Sequence, residues 1–496
     1  MTDKPVAPSS EQLQMMQNFR RPRFPLLPKG MQGQWTNLPP ETRFPSARQS
    51  GVSQLLADPG TFTLFQNSSL SSTIPSSFKG VVNEPTAANR GSVVFQTGNF
   101  YAALSTNSGN TFGFINPYTA FPASYGGLCC DQVVLYDSSR DLMFWLLNYY
   151  DNGTQDIIRL AVAQGNNIAA GIWSYYDFVS AVGTNYDFPD MCLSDNNLWV
   201  TVDRAPIGSG TFDAFVLKIS LDELRGGGAL NVATFDSTSA GISNVHFRCT
   251  HGAKQTMYWA SHNSTSQLRF FSWPESSNTV SYSNVDLSPA WNNAVCSCRG
   301  PDNRDWCGRF DDGRITGAWV AQGLVGFMWT ASQGGSFPYP YVEVIRLNET
   351  TRAFVDRPVI RNNNVAYVAP AASPNVRGDL GINLFYGGGT VYPSGLVGID
   401  DDFNGDPATS GWELKAVAAS TQGPTTNEWG DYVSVRPFAP TGQTWVATTY
   451  TMNGCGSASC VEPQFIVFGR ERDRGSVICY LSPASCSYVF LPLIMK

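Results

Sequence analysis

A polar side chain that could take part in acid–base chemistry recurs at intervals along most of the chain. The set is Ser92, Asp131, Asp190, His246, Arg314, Asp379 and Asp431, with gaps of 39, 59, 56, 68, 65 and 52 residues. Carboxylates that converge on one place cannot all ionise without a proton or a cation between them, a property typical of functional sites. We therefore predict Asp131, Asp190, Asp379 and Asp431 as catalytic candidates. The alternative is that each carboxylate accepts hydrogen bonds from backbone N–H groups in a turn.

His246 and Tyr186 are two further acid–base candidates. Asn244, His246 and Arg248 alternate with apolar residues, so one face of that strand is polar and His246 could serve as a general base or a ligand anchor. Tyr186 lies beside two carboxylates in the run Tyr186-Asp187-Phe188-Pro189-Asp190. Packing within the turn is the alternative role for this tyrosine. The spacing of the three histidines matches no zinc-ligand pattern.

Cations and aromatic rings near these candidates suggest a sugar as the ligand. Arg314 and Arg377 could hold the carboxylate of an acidic sugar. Trp429 and Tyr432, in the run Trp429-Gly430-Asp431-Tyr432, could stack on a sugar ring. We predict these four residues as substrate-binding candidates.

The acidic run from Asp400 to Asp406 is the most specific local motif. Asp at position 1, Asp at 3, Asn at 5 and Gly at 6 reproduce the front half of a calcium loop. Position 12 is Gly411, so the bidentate glutamate of an EF-hand is absent. A structural calcium ion is predicted here, and a solvated acidic turn is the alternative. The predicted ligands are Asp400, Asp402, Asn404 and Asp406.

The elements that must position these residues are short strands. Residues 426–450 read as a hairpin, because alternating apolar residues run up to Pro440-Thr441-Gly442 and an apolar-rich strand runs back from Trp445. Seven units of this kind occur, each with two to four strands, and a period of about 40 to 65 residues is typical of propeller blades. The sequence therefore predicts an all-β, seven-bladed β-propeller. Each of the seven polar residues is predicted to lie at or near the start of the innermost strand of one blade, where these positions converge on the central axis. A pair of β-sandwiches is the alternative.

Domain boundaries follow from the same pattern. Residues 1–50 are predicted to be a disordered or draped leader, and residues 51–88 an irregular segment that closes the last blade. The propeller is predicted to span residues 89–475, and residues 476–496 form a C-terminal tail.

Two segments resemble the Asp-box of the sialidase superfamily, a Ser-X-Asp-X-Gly-X-Thr-Trp turn between the third and fourth strands of a blade. Residues 105–112 (Ser-Thr-Asn-Ser-Gly-Asn-Thr-Phe) match with Asn for Asp and Phe for Trp, and residues 330–337 are a more distant copy. The Asp-box is structural in that family, so the resemblance implies a sialidase-like propeller rather than particular catalytic residues. The Arg-Ile-Pro motif of true sialidases is absent from the sequence.

Composition narrows the classes of partner. The 496 residues carry a net charge of -7 and a pI near 5.1, which argues against binding to nucleic acid. No apolar run approaches the roughly 20 residues of a membrane span. A carbohydrate or another small polar molecule is therefore the expected ligand, and the oligomeric state is left open.

Cysteines and glycosylation sequons favour an oxidising compartment, whereas no secretory signal is visible, so the localisation stays open. Eleven cysteines are present, and spacing predicts the pairs Cys455–Cys460, Cys479–Cys486 and Cys307 with Cys296 or Cys298. Vicinal Cys129 and Cys130 are predicted to be small buried apolar residues, with redox chemistry as the alternative.

Two classes of function are consistent with this sequence. The first is a carbohydrate-active enzyme, a glycoside hydrolase or polysaccharide lyase, that acts on an acidic sugar at the axial funnel of the propeller. The second is a non-catalytic propeller that binds glycan or protein through its loops.

Overall fold

The computed structural model describes residues 38–42, 58–122, 124–208, 212–405 and 411–482. Within these residues, 27 strands form seven antiparallel sheets, arranged as the blades of a β-propeller. The predicted fold class is confirmed. Each strand is short and apolar along one or both faces, since the faces of neighbouring blades pack against each other.

The first three blades follow one another in the chain after β1 (Phe62–Ser69), which belongs to blade seven. Each blade has four strands paired in sequence order. Blade one has β2 (Thr86–Arg90), β3 (Val93–Gly98), β4 (Tyr101–Ser105) and β5 (Gly113–Ile115). Blade two has β6 (Leu128–Asp137), β7 (Leu142–Tyr149), β8 (Ile157–Gln164) and β9 (Ser174–Val179). Blade three has β10 (Thr184–Leu193), β11 (Asn197–Pro206), β12 (Asp213–Ser220) and β13 (Val232–Asp236).

The remaining four blades differ more from one another. Blade four has β14 (Thr256–Ser264), β15 (Gln267–Pro274) and β16 (Ser281–Asp286). Blade five has β17 (Ile315–Ala321), β18 (Leu324–Ala331), β19 (Tyr341–Asn348) and β20 (Phe354–Asp356). Blade six has β21 (Ala366–Pro374), β22 (Leu380–Gly388), β23 (Val391–Asp400) and β24 (Glu413–Ala418). Blade seven begins with β25 (Ser434–Pro437), β26 (Trp445–Met452) and β27 (Val461–Arg470).

In the described part of the chain, three short α-helices lie outside the sheets: α1 (Asn166–Ala170), α2 (Leu221–Gly226) and α3 (Arg474–Leu481). Four 3-10 turns cover Ser76–Phe78, Ser237–Ala240, Ala458–Cys460 and Glu471–Asp473. Among the described helices, none is long and apolar enough to cross a membrane.

The two ends of the propeller meet in blade seven. β1 pairs with β27, from Phe62 opposite Arg470 to Ser69 opposite Gln464. This pairing covers the edge of β27 that would otherwise present unpaired backbone groups. The boundaries of leader, propeller and tail stay predictions, since residues 1–37 and 483–496 lie outside the described residues.

Blade four lacks a paired innermost strand. Residues 245–249, predicted as a strand, run along the axis without ladder hydrogen bonds, and the next residue, Thr250, donates its N–H to the Tyr258 carbonyl oxygen at 3.1 Å. A disulfide between Cys192 of β10 and Cys249 fastens this segment to blade three. Phe247 packs into the core between blades three and four. The residues on either side of it, His246 and Arg248, therefore face the axis.

The predicted position of Asp379 in blade six is wrong. The innermost strand is β21, and Asp379 lies in the turn that precedes the second strand, β22. The sequence predicts an innermost strand after Asp379, because the Ala- and Pro-rich run of β21 does not alternate and contains only one β-branched residue, Val368. Asp379 therefore does not begin an innermost strand.

The two Asp-box-like segments occupy different positions. Residues 105–112 connect the third and fourth strands of blade one, where Ser105 Oγ accepts from the N–H of Gly109 at 2.9 Å and Asn107 Oδ1 accepts from the N–H of Thr111 at 2.9 Å. Residues 330–337 instead connect the second and third strands of blade five, so the second segment does not occupy the position expected of an Asp-box.

Disulfides confirm two of the predicted pairs, Cys455–Cys460 and Cys298–Cys307. Cys479 is disulfide-bonded, and its predicted partner Cys486 lies outside the described residues. Cys129 and Cys130 are bonded to each other. The predicted burial is confirmed, since the two side chains are 5% and 0% exposed, and the pair forms a disulfide rather than two separate side chains.

Candidate functional site

The innermost strands all run in one direction along the axis, which gives the propeller two distinct faces. We call the face at which these strands begin the upper face, and the face at which they end the lower face. Segments that precede β17 and β25 bring charged side chains to the upper end of the axis. The candidate site is built there.

Asp431 is the centre of a buried ion-pair cluster at the upper end of the axis. Its carboxylate accepts from Arg309 Nε at 3.0 Å and Nη2 at 3.3 Å. Arg314 lies 3.8 Å from the same carboxylate and donates from Nε to Asp312 at 2.6 Å. The cations that convergent carboxylates require are therefore arginines of the protein itself. They leave a cavity of only about 10 Å³ beside Asp431.

Glu84 supports this cluster from the segment before blade one. The backbone N–H of Asp431 donates to Glu84 Oε1 at 2.9 Å, and Asn99 Nδ2 donates to Glu84 Oε2 at 2.8 Å. Glu84 is 1% exposed and has a φ of 47°, in the left-handed region. A glutamate held in this backbone conformation and buried is a feature that functional sites often share.

A second ion pair lies deeper along the axis. Arg248 Nε is 2.8 Å from Asp190 Oδ2, and Arg436 Nη2 is 3.8 Å from Asp190 Oδ1. Phe188 occupies a bulge of β10 between Asp187 and Asp190 and has a φ of 50°. Its ring lies under the guanidinium groups of Arg314 at 4.3 Å and Arg248 at 5.2 Å. Phe188 therefore separates the two ion pairs as an apolar plug with favourable cation–π contacts.

His246 forms a close pair with Asp203 through its Nδ1 atom. Its ring stacks on Phe212 with 4.3 Å between the ring centroids. A carboxylate bound to Nδ1 fixes the orientation of the imidazole, so acid–base chemistry would use Nε2. Asp203 lies on β11 and was not among the predicted candidates.

Five predicted site residues are brought together at the axis: Asp190, His246, Arg314, Asp431 and Tyr432. Tyr432 is buried, with its ring centroid 6.0 Å from that of Phe188 and 5.3 Å from the Arg248 guanidinium. It is therefore inaccessible for stacking on a sugar in this structure. Asp131 is buried on β6, next to the Cys129–Cys130 disulfide.

Tyr186 and Trp429 lie away from the axis. The N–H of Tyr186 donates to Asp156 Oδ2 at 2.8 Å, its hydroxyl reaches the Val179 carbonyl oxygen at 3.4 Å, and burial raises its pKa. Trp429 is fully buried and stacks on Tyr450 at 4.4 Å. Trp429 is thus a core residue in the structure, because the run before β25 turns its ring inward.

Asp379 and Arg377 belong to a separate cluster on the lower face. Arg377 donates from Nε to Asp379 at 2.9 Å and from Nη2 to Asp473 at 2.8 Å. Arg472 also donates to Asp379 at 3.3 Å. The pair is therefore not part of the upper cluster, in agreement with the corrected register of blade six.

Arginines contact the predicted calcium loop. Arg470 donates to Asn404 Oδ1 at 2.7 Å, and Arg472 donates to Asp402 at 2.7 Å. Asp400 ends β23, and Asp406 lies outside the described residues. Two of the proposed ligands thus bind guanidinium groups, so calcium binding here stays a prediction.

Cys192 and Cys249 lie close to Asp190 and complete the one metal-like grouping found among the described residues. Both sulfur atoms are joined in a disulfide, so neither is available as the thiolate that a metal requires. This grouping fits no metal ion in its oxidised form.

A groove on the upper face lies between blades seven and one, with a cavity volume of about 480 Å³. Its walls carry the hydroxyl groups of Ser76, Ser77, Thr425, Thr426, Ser457 and Ser459. Phe100 supplies an apolar surface, and Lys79 and Glu428 supply one charge of each sign. Burial lowers the pKa of Lys79, whose ammonium group donates to Ser71 Oγ at 3.1 Å. Asn99 also lines the groove and so links it to Glu84.

Sequence reasoning missed four residues of the axial site, Glu84, Arg309, Asp203 and Arg436, and it missed Asp156, which lies beside Tyr186 and outside that site. Glu84 lies just before the first blade, as Asp431 lies just before the last. This equivalent position is the sequence feature that could have identified Glu84 as a site residue. Asp156 is buried, accepts two backbone N–H groups, and has its pKa raised to about 8 by burial. Its second donor, Tyr186, is on blade three and 30 residues away, so the sequence around Asp156 does not reveal its environment.

Comparisons with known proteins find no relative by sequence and distant likenesses among solved structures. No family model matches the sequence, and no curated protein matches it. A solved α-L-arabinanase from Penicillium chrysogenum, complexed with arabinobiose, has a TM-score of 0.38 and 11% identity, over 83% of this chain and 99% of that one. An α-L-arabinofuranosidase from Podospora anserina has a TM-score of 0.31 and 10% identity, over 58% and 91%. A puromycin-hydrolyzing peptidase from Mycobacterium tuberculosis has a TM-score of 0.40 and 11% identity, over 78% and 52%. At this level, the likenesses carry no argument about the chemistry of this chain.

Proposed function

We propose that the protein is a carbohydrate-active hydrolase whose glycan substrate lies in the upper groove. The observation that carries the proposal is the chain of contacts from the groove to the axis. Asn99 lines the groove and binds Glu84, and Glu84 accepts the backbone N–H of Asp431. A concave site and a set of buried carboxylates are thus directly connected.

The lining of the groove suits a sugar. Hydroxyl side chains donate and accept hydrogen bonds, as sugar hydroxyl groups do, and the Phe100 ring offers an apolar surface for the C–H face of a sugar ring. The volume of about 480 Å³ falls within the range of small-molecule sites.

Hydrolysis of a glycosidic bond generally requires two carboxyl groups, one as acid and one as base or nucleophile. Glu428 is half-buried in the groove wall and is the carboxylate that faces a bound sugar. Glu84 lies one hydrogen bond behind the wall, through Asn99. We assign Glu428 to the reaction as the carboxylate that contacts the sugar, with Glu84, Asp431 and Arg309 as positioning residues behind it.

We further propose that the bound sugar is acidic. Arg314 and Arg377 were the predicted contacts, but each is bound by aspartates of the protein. Lys79 lines the groove instead and could pair with a sugar carboxylate there.

The test is product release from a panel of acidic and neutral polysaccharides. Reducing ends report hydrolysis, and the ultraviolet absorbance of unsaturated sugars reports a lyase. We expect release of reducing ends that falls by about 10²–10⁴-fold in Glu428→Gln, the usual effect of losing an acid–base group. Glu223→Gln, on helix α2 and outside the groove, is the matched control and should keep full activity. If folded wild-type protein releases no product from any substrate, the hydrolase proposal is refuted.

A second candidate function is glycan binding without cleavage, favoured by the cavity of only about 10 Å³ beside Asp431. In that case the axial cluster is structural and the groove alone contacts the glycan. Binding on a glycan array by wild type, its loss in Ser459→Trp, which fills the groove, and full binding by Glu428→Gln would support this function.

A further inference from the structure

The lower end of the axis holds a second cavity, separate from the upper groove. Its volume is about 250 Å³, and the ends of the innermost strands β2, β6, β10, β21 and β25 contribute to its wall. Leu135, Pro374 and Phe438 give it apolar sides, and Val376 lies at its rim, 70% exposed. The cavity is therefore large enough for a small molecule and open to solvent.

Arg436 is the one charged side chain in the wall of this cavity, among the residues that the structure describes. It is 5% exposed. Nη1 donates to the Val435 carbonyl oxygen at 2.9 Å, whereas Nε has no hydrogen-bond partner among the described residues. Nη2 is 3.8 Å from Asp190, beyond hydrogen-bond distance. The edge formed by Nε and Nη2, which normally grips an anion, is thus incompletely used.

The charges around Arg436 do not cancel. Asp190 is already paired with Arg248 at 2.8 Å, so Arg248, Asp190 and Arg436 together carry one net positive charge. The nearby Asp141 is neutralised by Arg90. His251, also in the wall, has its pKa lowered by burial and by the two arginines, so it is neutral at pH 7. Burial lowers the pKa of Arg436 to about 10, so it stays charged at that pH.

We propose that the lower cavity binds a small anion, a carboxylate or an inorganic oxyanion, through the guanidinium group of Arg436. A bound anion supplies the negative charge that balances Arg436, and it accepts hydrogen bonds from Nε and Nη2 of the guanidinium group. The apolar wall favours an anion with a small hydrocarbon part. This site is distinct from the glycan groove, because it lies at the opposite end of the axis.

The test is binding to the purified full-length chain at constant ionic strength, measured by isothermal titration calorimetry. Acetate and glucuronate represent carboxylates, phosphate and sulfate represent oxyanions, and glucose is the neutral match for glucuronate. We expect saturable binding of at least one anion and no binding of glucose in this cavity. Arg436→Gln should weaken anion binding by at least about tenfold, since hydrogen bonds to charged groups contribute about 1.5–3 kcal/mol.

Two further variants keep the proposal testable if Arg436→Gln unfolds. Val376 is exposed at the rim, so a substitution there leaves the core intact. Val376→Glu should weaken anion binding and Val376→Lys should strengthen it, each by several-fold at low salt. Arg346→Gln, on the outer part of blade five, should change nothing. The proposal is overturned if no anion binds, or if binding is the same in Arg436→Gln or in both Val376 variants.

Discussion

The two ends of the axial channel treat buried charge in opposite ways. At the upper end, Asp431 and Asp312 are matched by Arg309 and Arg314, and the space beside them is about 10 Å³. At the lower end, Arg436 lacks a full partner and borders about 250 Å³. Compensated charges draw together and close a channel, whereas an uncompensated charge leaves a site that only a ligand can complete.

Asp156 is a third kind of buried ionisable group, an acid rather than a base. Asp156 is a buried carboxylate that receives backbone N–H groups, and its pKa is raised to about 8. Burial disfavours its charged form by more than the N–H groups of Tyr186 and Ile157 favour that form. Buried ionisable groups therefore occur in this fold as compensated pairs, as an uncompensated cation and as an acid that holds its proton.

Removing one partner at the upper end should have the largest effect. Arg309→Met strands the Asp431 carboxylate, and we expect a loss of about 3–5 kcal/mol in the free energy of unfolding. Arg436→Met removes a charge that has no full partner, so we expect a change below about 1 kcal/mol. Urea denaturation of both variants checks the difference. The double variant Arg309→Met/Asp431→Asn should recover most of the loss, and equal losses in the two single variants would contradict the comparison.

The disulfide that holds the axial segment of blade four should come next. Cys192 and Cys249 are 57 residues apart, so the loop-entropy relation gives about 4 kcal/mol for its removal in Cys192→Ala/Cys249→Ala. Cys455 and Cys460 are 5 residues apart, and the same relation gives about 2 kcal/mol for the matched double variant. Thermal unfolding under non-reducing conditions measures both. A larger loss at the short loop would show that chain entropy does not set the order.

Asp156 should make stability depend on pH. Its pKa is about 8 in the folded protein against about 3.8 unfolded, so between these values the folded state holds a proton that the unfolded state lacks. The contribution of Asp156 to the free energy of unfolding is then greatest below about pH 4. This contribution falls by up to about 1.4 kcal/mol per pH unit as the pH rises to about 8. Asp156→Asn should remove this contribution. A wild type and variant with parallel pH profiles would exclude it.

The smallest effect is expected at the acidic loop. Asp402 is largely exposed, so Asp402→Asn should cost under about 1 kcal/mol despite its ion pair with Arg472. Added calcium tests the predicted metal site at the same time. A calcium-dependent rise in the unfolding midpoint of wild type, absent from the variant, would favour a metal ion over the arginine contacts.

Local patterns in the sequence were sufficient for most of the fold. Short apolar strands that recur with turn residues between them predicted seven blades, and close spacing predicted the Cys455–Cys460 disulfide. The prediction of the innermost strand was wrong in blade six, because the Ala- and Pro-rich strand β21 shows only a weak strand pattern. Asp379 was therefore assigned to the wrong position. The Cys192–Cys249 disulfide was missed because it joins two blades.

The sequence alone determined the repeat of short strands, since strand alternation and repeat length are local properties. Asp190, His246, Arg314 and Asp431 lie at the axis as that repeat predicts, whereas Asp379 does not. The sequence could not determine which of these residues meet. Arg309 and Asp431 are 122 residues apart, and His246 and Asp203 are 43 apart. Such partners are chosen by how the blades close around the axis, and closure itself depends on β1 pairing with β27. Only the tertiary structure therefore decided which charges are matched and that Arg436 is left without a full partner, because burial and pairing are set by residues distant in the chain.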